Sequence, residues 1–193
     1  MINRVKHLLP STSLKILYCS FIQPHLQYGA AVWGGYNGQN RRRIVAIQKR
    51  IIRTITKSYF TAHTVPRLKK IGLLHFDDIY NLQCSTLIHD ILNENSPKSI
   101  KGHVTLATQI TNHQTRNVQQ NPLDLRTPVL RSRIGNNSFS VKGPKMWNEI
   151  PHEIRSLERK DSFKRQMKTH LLSKYHLKTE CRNPRCNDKS YHV

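Results

Sequence analysis

Acidic side chains are missing from a large part of this sequence. Residues 1–76 contain no Asp or Glu, whereas they hold 13 of the chain's 32 Lys and Arg residues. Over all 193 residues the formal net charge is +21. Because a surplus of one sign repels itself and opposes compaction, it is typical of proteins that bind a polyanion. The composition therefore points to nucleic acid, or to an anionic membrane surface, as the partner.

Long apolar runs and a disulfide framework are also missing. No segment approaches the ~20 consecutive apolar residues that a transmembrane helix needs, so we predict no transmembrane span. Of the two anionic partners, we expect nucleic acid and not a membrane. The N-terminal segment lacks the apolar core and small-residue cleavage site of a secretory signal. The four cysteines are few and unevenly spaced, which favours a reducing compartment. We therefore expect an intracellular protein, nuclear or cytoplasmic, that is not secreted.

Hydrophobic periodicity predicts a mainly α fold. We expect a basic helical region over residues 1–95 and a polar, loosely ordered connection over 96–142. A C-terminal helical segment over 143–176 and a flexible tail over 177–193 follow. Within the connection, the sequences TPVLRSRI and SFSVKG flank Gly135–Asn137 and predict a short β-hairpin. The alternative for this stretch is irregular backbone.

Turn and capping residues predict where the N-terminal helices begin and end. Pro24 should interrupt or kink a first helix that follows Ser11, and the run Gly34–Gly38 should separate it from the next helix. A short helix after Thr64 should stop at Gly72. A longer helix, capped by Asp77, should end before Pro97.

The segment NRRRIVAIQKRIIRTI, from Asn40 to Ile55, carries the strongest charge pattern. Its isoleucines at 44, 47, 51 and 55 have helical spacing and predict a buried stripe. Like charges cost a helix stability, which is understandable if an anion neutralises them. The alternative is a solvated basic face without a partner. The candidate nucleic-acid-binding residues are Arg41, Arg42, Arg43, Lys49, Arg50, Arg53 and Lys57, of which Arg42, Lys49, Arg53 and Lys57 are the best aligned.

The stretch HFDD, His75–Asp78, is close to the aromatic-x-Asp-Asp signature of reverse transcriptases, whose paired carboxylates bind Mg²⁺. Polymerase metals also need a carboxylate from an earlier strand, and residues 1–76 contain none. Asp77 and Asp78 precede an amphipathic run, where acids favour the positive end of a helix dipole. We therefore assign no catalytic residue and expect no cofactor.

The C-terminal residues His176, Cys181, Cys186 and His192 are of types that zinc accepts in tetrahedral sets. Their spacing fits no common zinc knuckle, and terminal polar segments are where disorder concentrates. We therefore assign no metal site and keep these four residues as the alternative.

Several motifs together resemble one protein family. The segment LKILYCSFIQPHLQYGAAVWG, residues 14–34, is similar to the segment after the catalytic palm in reverse transcriptases of non-LTR (LINE-type) retrotransposons. Four further landmarks of that family follow in the same order. They are IQKRIIRTI (47–55), HTVPRLKKIGLLHFDDIYNLQ (63–83), QTRN (114–117) and MWNEIP (146–151), and the Phe163-Lys164 pair resembles the closing helix.

The resemblance implies a thumb and post-thumb region that grips the backbone of a primer–template duplex. It also implies that Met1 lies beyond the fingers and palm, which would be partners, and that the chain by itself is not an enzyme. The expected ligand is an RNA–DNA hybrid or duplex, bound without sequence preference. The alternative is a stand-alone basic RNA- or DNA-binding or ribosome-associated protein without polymerase ancestry.

The first prediction is that the chain does not polymerise DNA. Purified protein given primer, template, deoxynucleotides and Mg²⁺ should extend no primer, because residues 1–76 supply no carboxylate to share the metals. A gel-based extension assay measures this. Extension that disappears in Asp77→Ala or Asp78→Ala would contradict the prediction.

Overall fold

The computed structural model describes residues 2–35, 38–109, 122–132 and 134–176, and this part of the chain is mainly helical. No strand is present among these residues; their β structure is one isolated antiparallel bridge between Leu106 and Leu125. The α-helices are α1 (Ile2–Val5), α2 (Ser11–Leu17), α3 (Gln23–Gln27), α4 (Ala30–Trp33), α5 (Gln39–Ile55), α6 (Thr64–Ile71), α7 (Phe76–Leu92), α8 (Lys98–Lys101), α9 (Phe139–Asn148), α10 (His152–Arg155) and α11 (Lys160–Ser173).

The chain forms two compact units, each assembled from separated segments. Among the described residues, the first unit comprises 2–28, 38–78 and 170–176, and the second comprises 29–35, 79–109, 122–132 and 134–169. The predicted regions 1–95, 96–142 and 143–176 are each continuous in sequence. Neither compact unit is continuous, because each combines separated segments. The predicted tail, 177–193, and the QTRN motif lie outside the described residues.

The predicted turn chemistry of the N-terminal helices holds at Gly72 and fails at Asp77. Pro24 lies in the first turn of α3, after a π-helical turn over Tyr18–Ile22. Gly72 ends α6 with a φ of 69°. This is the left-handed region that glycine adopts without a Cβ penalty. Helix α7 begins at Phe76, so Asp77 lies in its first turn and is not its cap.

A buried polar side chain, Gln48, organises the core of the first unit. Its amide nitrogen donates to the Tyr18 hydroxyl at 2.9 Å and to the Leu74 carbonyl at 3.0 Å. Its amide oxygen accepts from the Phe76 backbone N–H at 2.8 Å. Gln48 is 1% exposed, and its hydrogen bonds offset the desolvation of its amide.

The predicted isoleucine stripe of α5 is confirmed at Ile55 and wrong at Ile47, and Gln48 explains the difference. The buried residues of α5 are Gln48, Ile52 and Ile55, whereas Ile47 is 56% exposed. A pattern based on apolar residues alone rotates the helix toward Ile47, because it counts glutamine as a surface residue. The hydrogen bonds of Gln48 instead set the face that packs inward.

Aromatic stacking and two polar side chains stabilise the second unit. Trp147, Phe163 and His89 stack in sequence, with ring centroids 5.8 Å and 4.6 Å apart. Trp147 also donates to the Leu123 carbonyl at 3.0 Å. Asn148 accepts from the Leu125 N–H and donates to the Leu125 carbonyl, both at 2.9 Å. The Trp-Asn pair of MWNEIP therefore has a structural role here.

The predicted β-hairpin around Gly135–Asn137 is wrong. Residues 135–137 form a 3₁₀ turn, and SFSVKG enters helix α9. Val141, Pro144 and Trp147 are the reason, since they are buried at the three-residue spacing of a helical face. Within the turn, the Asn136 side chain donates to the Leu130 carbonyl at 2.7 Å, where a hairpin would have backbone hydrogen bonds between strands.

We predict that Gln48→Ala destabilises the fold by about 3 kcal/mol, because each buried group that loses its partner costs about 1–3 kcal/mol. Chemical denaturation monitored by circular dichroism measures the free energy of unfolding. Gln39→Ala, at an exposed position of the same helix, is the matched control and should change stability little. Equal losses in both variants would contradict the assigned role of Gln48.

Candidate nucleic-acid interface

Helix α5 presents most of its predicted cations on the side opposite its buried face. At ~100° per residue, Arg42, Lys49 and Arg53 lie within a narrow sector of the helix, and Arg50 lies next to it. Arg42, Arg43, Arg50 and Lys57 are exposed, and Lys49 and Arg53 are half-buried. Arg41 lies on the buried side. The described geometry therefore brings most of the predicted set together and separates Arg41 from it.

Arg41 is neutralised within the protein. Its guanidinium lies 2.6 Å from the Asp77 carboxylate, and His75 Nδ1 lies 3.6 Å from the same carboxylate group. The acid that the basic segment lacks is thus supplied by the first turn of α7. Arg41 is therefore a structural residue and a weaker candidate for binding a ligand.

The carboxylates of HFDD are engaged in the protein. Asp78 is 4% exposed, and it lies near the hydroxyl of Tyr175. Burial raises the pKa of the Tyr175 phenol, and the negative charge of Asp78 raises it further. The Tyr175 hydroxyl also accepts from the His75 N–H at 2.7 Å. These contacts fix the start of α7 and favour a structural role for both aspartates.

Arg53 combines a structural contact with an unneutralised charge. Its Nε donates to the Ala62 carbonyl at 2.9 Å. Its guanidinium lies 5.6 Å from the centroid of the Phe60 ring, within cation–π range. Burial lowers the pKa of Arg53, and the like charge of Arg67 lowers it further. Arg53 remains charged at neutral pH, so two guanidinium groups repel each other here.

A cleft of about 600 Å³ opens beside the C-terminal end of α5. Its lining contains no carboxylate among the described residues, and every ionisable side chain that they contribute is basic. The lining residues are Lys6, His7, Arg50, Arg53, Thr54, Lys57, Ser58 and Phe60. The charge pattern of 41–57 predicts three of these residues. Lys6, His7 and Phe60 were missed, because their only signal is membership of the acid-free region.

The alternative zinc ligands cannot be placed. Cys181, Cys186 and His192 lie outside the described residues, as does the side chain of His176. Within the described ranges, no group of three or more His, Cys, Asp or Glu side chains could hold a metal ion. Cys84 is buried, and burial raises the pKa of its thiol to about 12, so it is protonated at neutral pH.

No protein-family model, curated protein or solved structure matches this chain. Among the described residues, no helix has both the length and the apolar character needed to cross a membrane. The candidate interface is thus characterised by its own residues alone.

We predict that Arg41→Gln and Arg42→Gln differ in their effect on stability. Arg41→Gln should lower the free energy of unfolding by up to about 1 kcal/mol, since the Arg41–Asp77 ion pair is partly exposed. Arg42→Gln, at the exposed neighbouring position, should stay within about 0.5 kcal/mol of the original chain. Urea denaturation of both variants measures this. The double variant of Arg41→Gln and Asp77→Asn tests the pairing. If its loss of unfolding free energy equals the sum of the losses in the two single variants, the pairing is contradicted.

Proposed function

We propose that this chain binds nucleic acid through the phosphate backbone. The observation that carries the proposal is the outer face of α5, where Arg42, Arg43 and Arg50 are exposed and Lys49 is half-buried. Residues 1–76 supply no acid to this face, and the Asp77 carboxylate that follows them is paired with Arg41. A face of one sign on a packed helix is suited to a ligand that carries regularly spaced negative charge.

The physical chemistry of phosphate binding fits this face. Each phosphate that a cation neutralises releases condensed counterions, so affinity should fall steeply with salt. Arginine can donate two parallel hydrogen bonds to phosphate oxygens. Contacts to phosphate carry no direct sequence information. We therefore propose binding that is independent of sequence, with an RNA–DNA hybrid or another duplex as ligand.

We further propose that the chain corresponds to the thumb and post-thumb region of a non-LTR retrotransposon reverse transcriptase. The order of motifs from residue 14 to residue 164 supports this, and so does the helical character of the described residues. In that setting the chain would hold the duplex while the fingers and palm, as partners, supply the chemistry. It would act in the nucleus or cytoplasm and need no cofactor of its own.

The decisive test removes three charges from the outer face of α5. Arg42→Gln, Arg43→Gln and Lys49→Gln together should keep the helix, because glutamine has a similar helix propensity. The triple variant should bind an RNA–DNA hybrid more weakly, to a similar degree for different sequences. The slope of log affinity against log salt should flatten by roughly 2–3, near 0.9 for each lost phosphate contact. Fluorescence anisotropy at several salt concentrations measures both.

A matched control removes the same charge from another helix. Lys164, Arg165 and Lys168 are exposed on α11, and their replacement by Gln should change the slope little. An equal effect in both triple variants would mean that net charge alone drives binding. Unchanged affinity and slope in the α5 variant would refute the proposed interface. Binding to anionic vesicles, without binding to the hybrid, would identify a membrane surface as the partner instead.

A further inference from the structure

The aromatic ring of Phe60 lines the cleft beside α5. A site that binds only backbone phosphates would not require an aromatic ring. Phe60 is 76% exposed, although exposure of a large apolar ring to water is unfavourable. The guanidinium of Arg53 lies 5.6 Å from its centroid, which restricts the ring through a cation–π contact. The result is an aromatic surface at the edge of a cationic cleft.

The positive charge around this ring is not neutralised by the described protein. No ion pair to Lys6, Arg50 or Lys57 is found in the described ranges. Arg67 donates to the Ser58 hydroxyl and to the His63 carbonyl, and its charge opposes that of Arg53.

Lys57 adopts a backbone conformation that is unusual for lysine. Its φ is 51°, in the left-handed region that favours glycine, and it follows Thr56, the residue that caps the end of α5. Glycine would relieve the strain but would remove a cation from the cleft. Strained backbone is often found at functional sites, and here it accompanies an independent feature, the cleft itself.

The volume of the cleft indicates how large a bound anion could be. Ligand clefts commonly enclose ~300–1,000 Å³. A volume of about 600 Å³ leaves room for much more than a phosphate group. Aromatic side chains stack on the bases of unpaired nucleotides, whereas bases within a duplex are already stacked. An aromatic ring beside three cations therefore matches one nucleotide with an exposed base.

We infer that this cleft takes one unpaired nucleotide of a bound strand, with its base stacked on Phe60 and its phosphate held by Lys6, Arg50 and Lys57. The inference rests on the proposed nucleic-acid binding and adds a site for a single-stranded end next to the duplex-binding face. Because every base has a π face, the site should accept different bases.

The test uses 5′-phosphorylated trithymidylate, a single strand without a duplex. The full chain should bind it saturably, and Phe60→Ala should weaken binding about 5- to 100-fold, as expected for the loss of one base–aromatic stack. Phe60→Tyr should restore binding. Tyr59→Ala is the matched control, because Tyr59 is an exposed aromatic neighbour that does not line the cleft. Circular dichroism should show unchanged folding in all three variants.

A second probe separates the base from the phosphate. An abasic trinucleotide with the same number of phosphates should bind the original chain and Phe60→Ala equally. Lys57→Gln should weaken binding of both probes, since it removes a cation from the cleft.

The proposal is overturned if Phe60→Ala and Tyr59→Ala have equal effects, if the abasic probe binds as tightly as trithymidylate, or if trithymidylate does not bind saturably. Failure here leaves a distinct signature from failure of the proposed function. If only the cleft proposal fails, the triple substitution of Arg42, Arg43 and Lys49 still weakens binding of the hybrid. If the proposed function fails, that triple substitution leaves binding of the hybrid unchanged, whatever the effect of substituting Phe60.

Discussion

The first unit depends on the satisfied amide of Gln48. A buried primary amide is costly unless both its donor and acceptor atoms are paired. Here the Tyr18 hydroxyl, the Leu74 carbonyl and the Phe76 N–H pair with it. Hydrogen bonds have direction, so they fix the rotation of α5 about its own axis more tightly than apolar contacts do. The rotation in turn determines which cations face outward.

Charge imbalance is the second constraint on this unit. An isolated helix with six cations and no acid between Asn40 and Ile55 repels itself. The structure relieves this repulsion at Arg41, through Asp77, and leaves the outer cations without such relief in the described residues. Arg41, on the inner face of the helix, therefore contributes to stability, whereas the cations on its outer face are the ones proposed to bind a ligand.

Sequence reasoning succeeded where local chemistry decides the outcome. Glycine in the left-handed conformation at 72 ends a helix by a steric rule that needs no tertiary context. It failed where distant residues decide. Gln48 enters the core only because Tyr18 and Phe76 meet it there, and SFSVKG is helical because Trp147 packs inward.

The candidate site shows the same limit. The charges of α5 are visible in the sequence, since they are neighbours on one helix. Lys6 and His7 reach the cleft from a distant segment of the sequence, and no periodic pattern links them to Phe60. The mainly α fold class is confirmed for the described residues, while nucleic-acid binding and the polymerase resemblance stay proposals.

The contact between Asn148 and Leu125 has a consequence for how sequence variation in the second unit should be interpreted. One side chain supplies both the donor and the acceptor that a neighbouring strand would otherwise offer. Aspartate lacks the donor, leucine lacks both groups, and glutamine is longer by one methylene. Position 148 is therefore as restricted as a core position although it is only half-buried. An unvarying asparagine there would indicate a constraint from folding, and would not by itself identify a ligand contact.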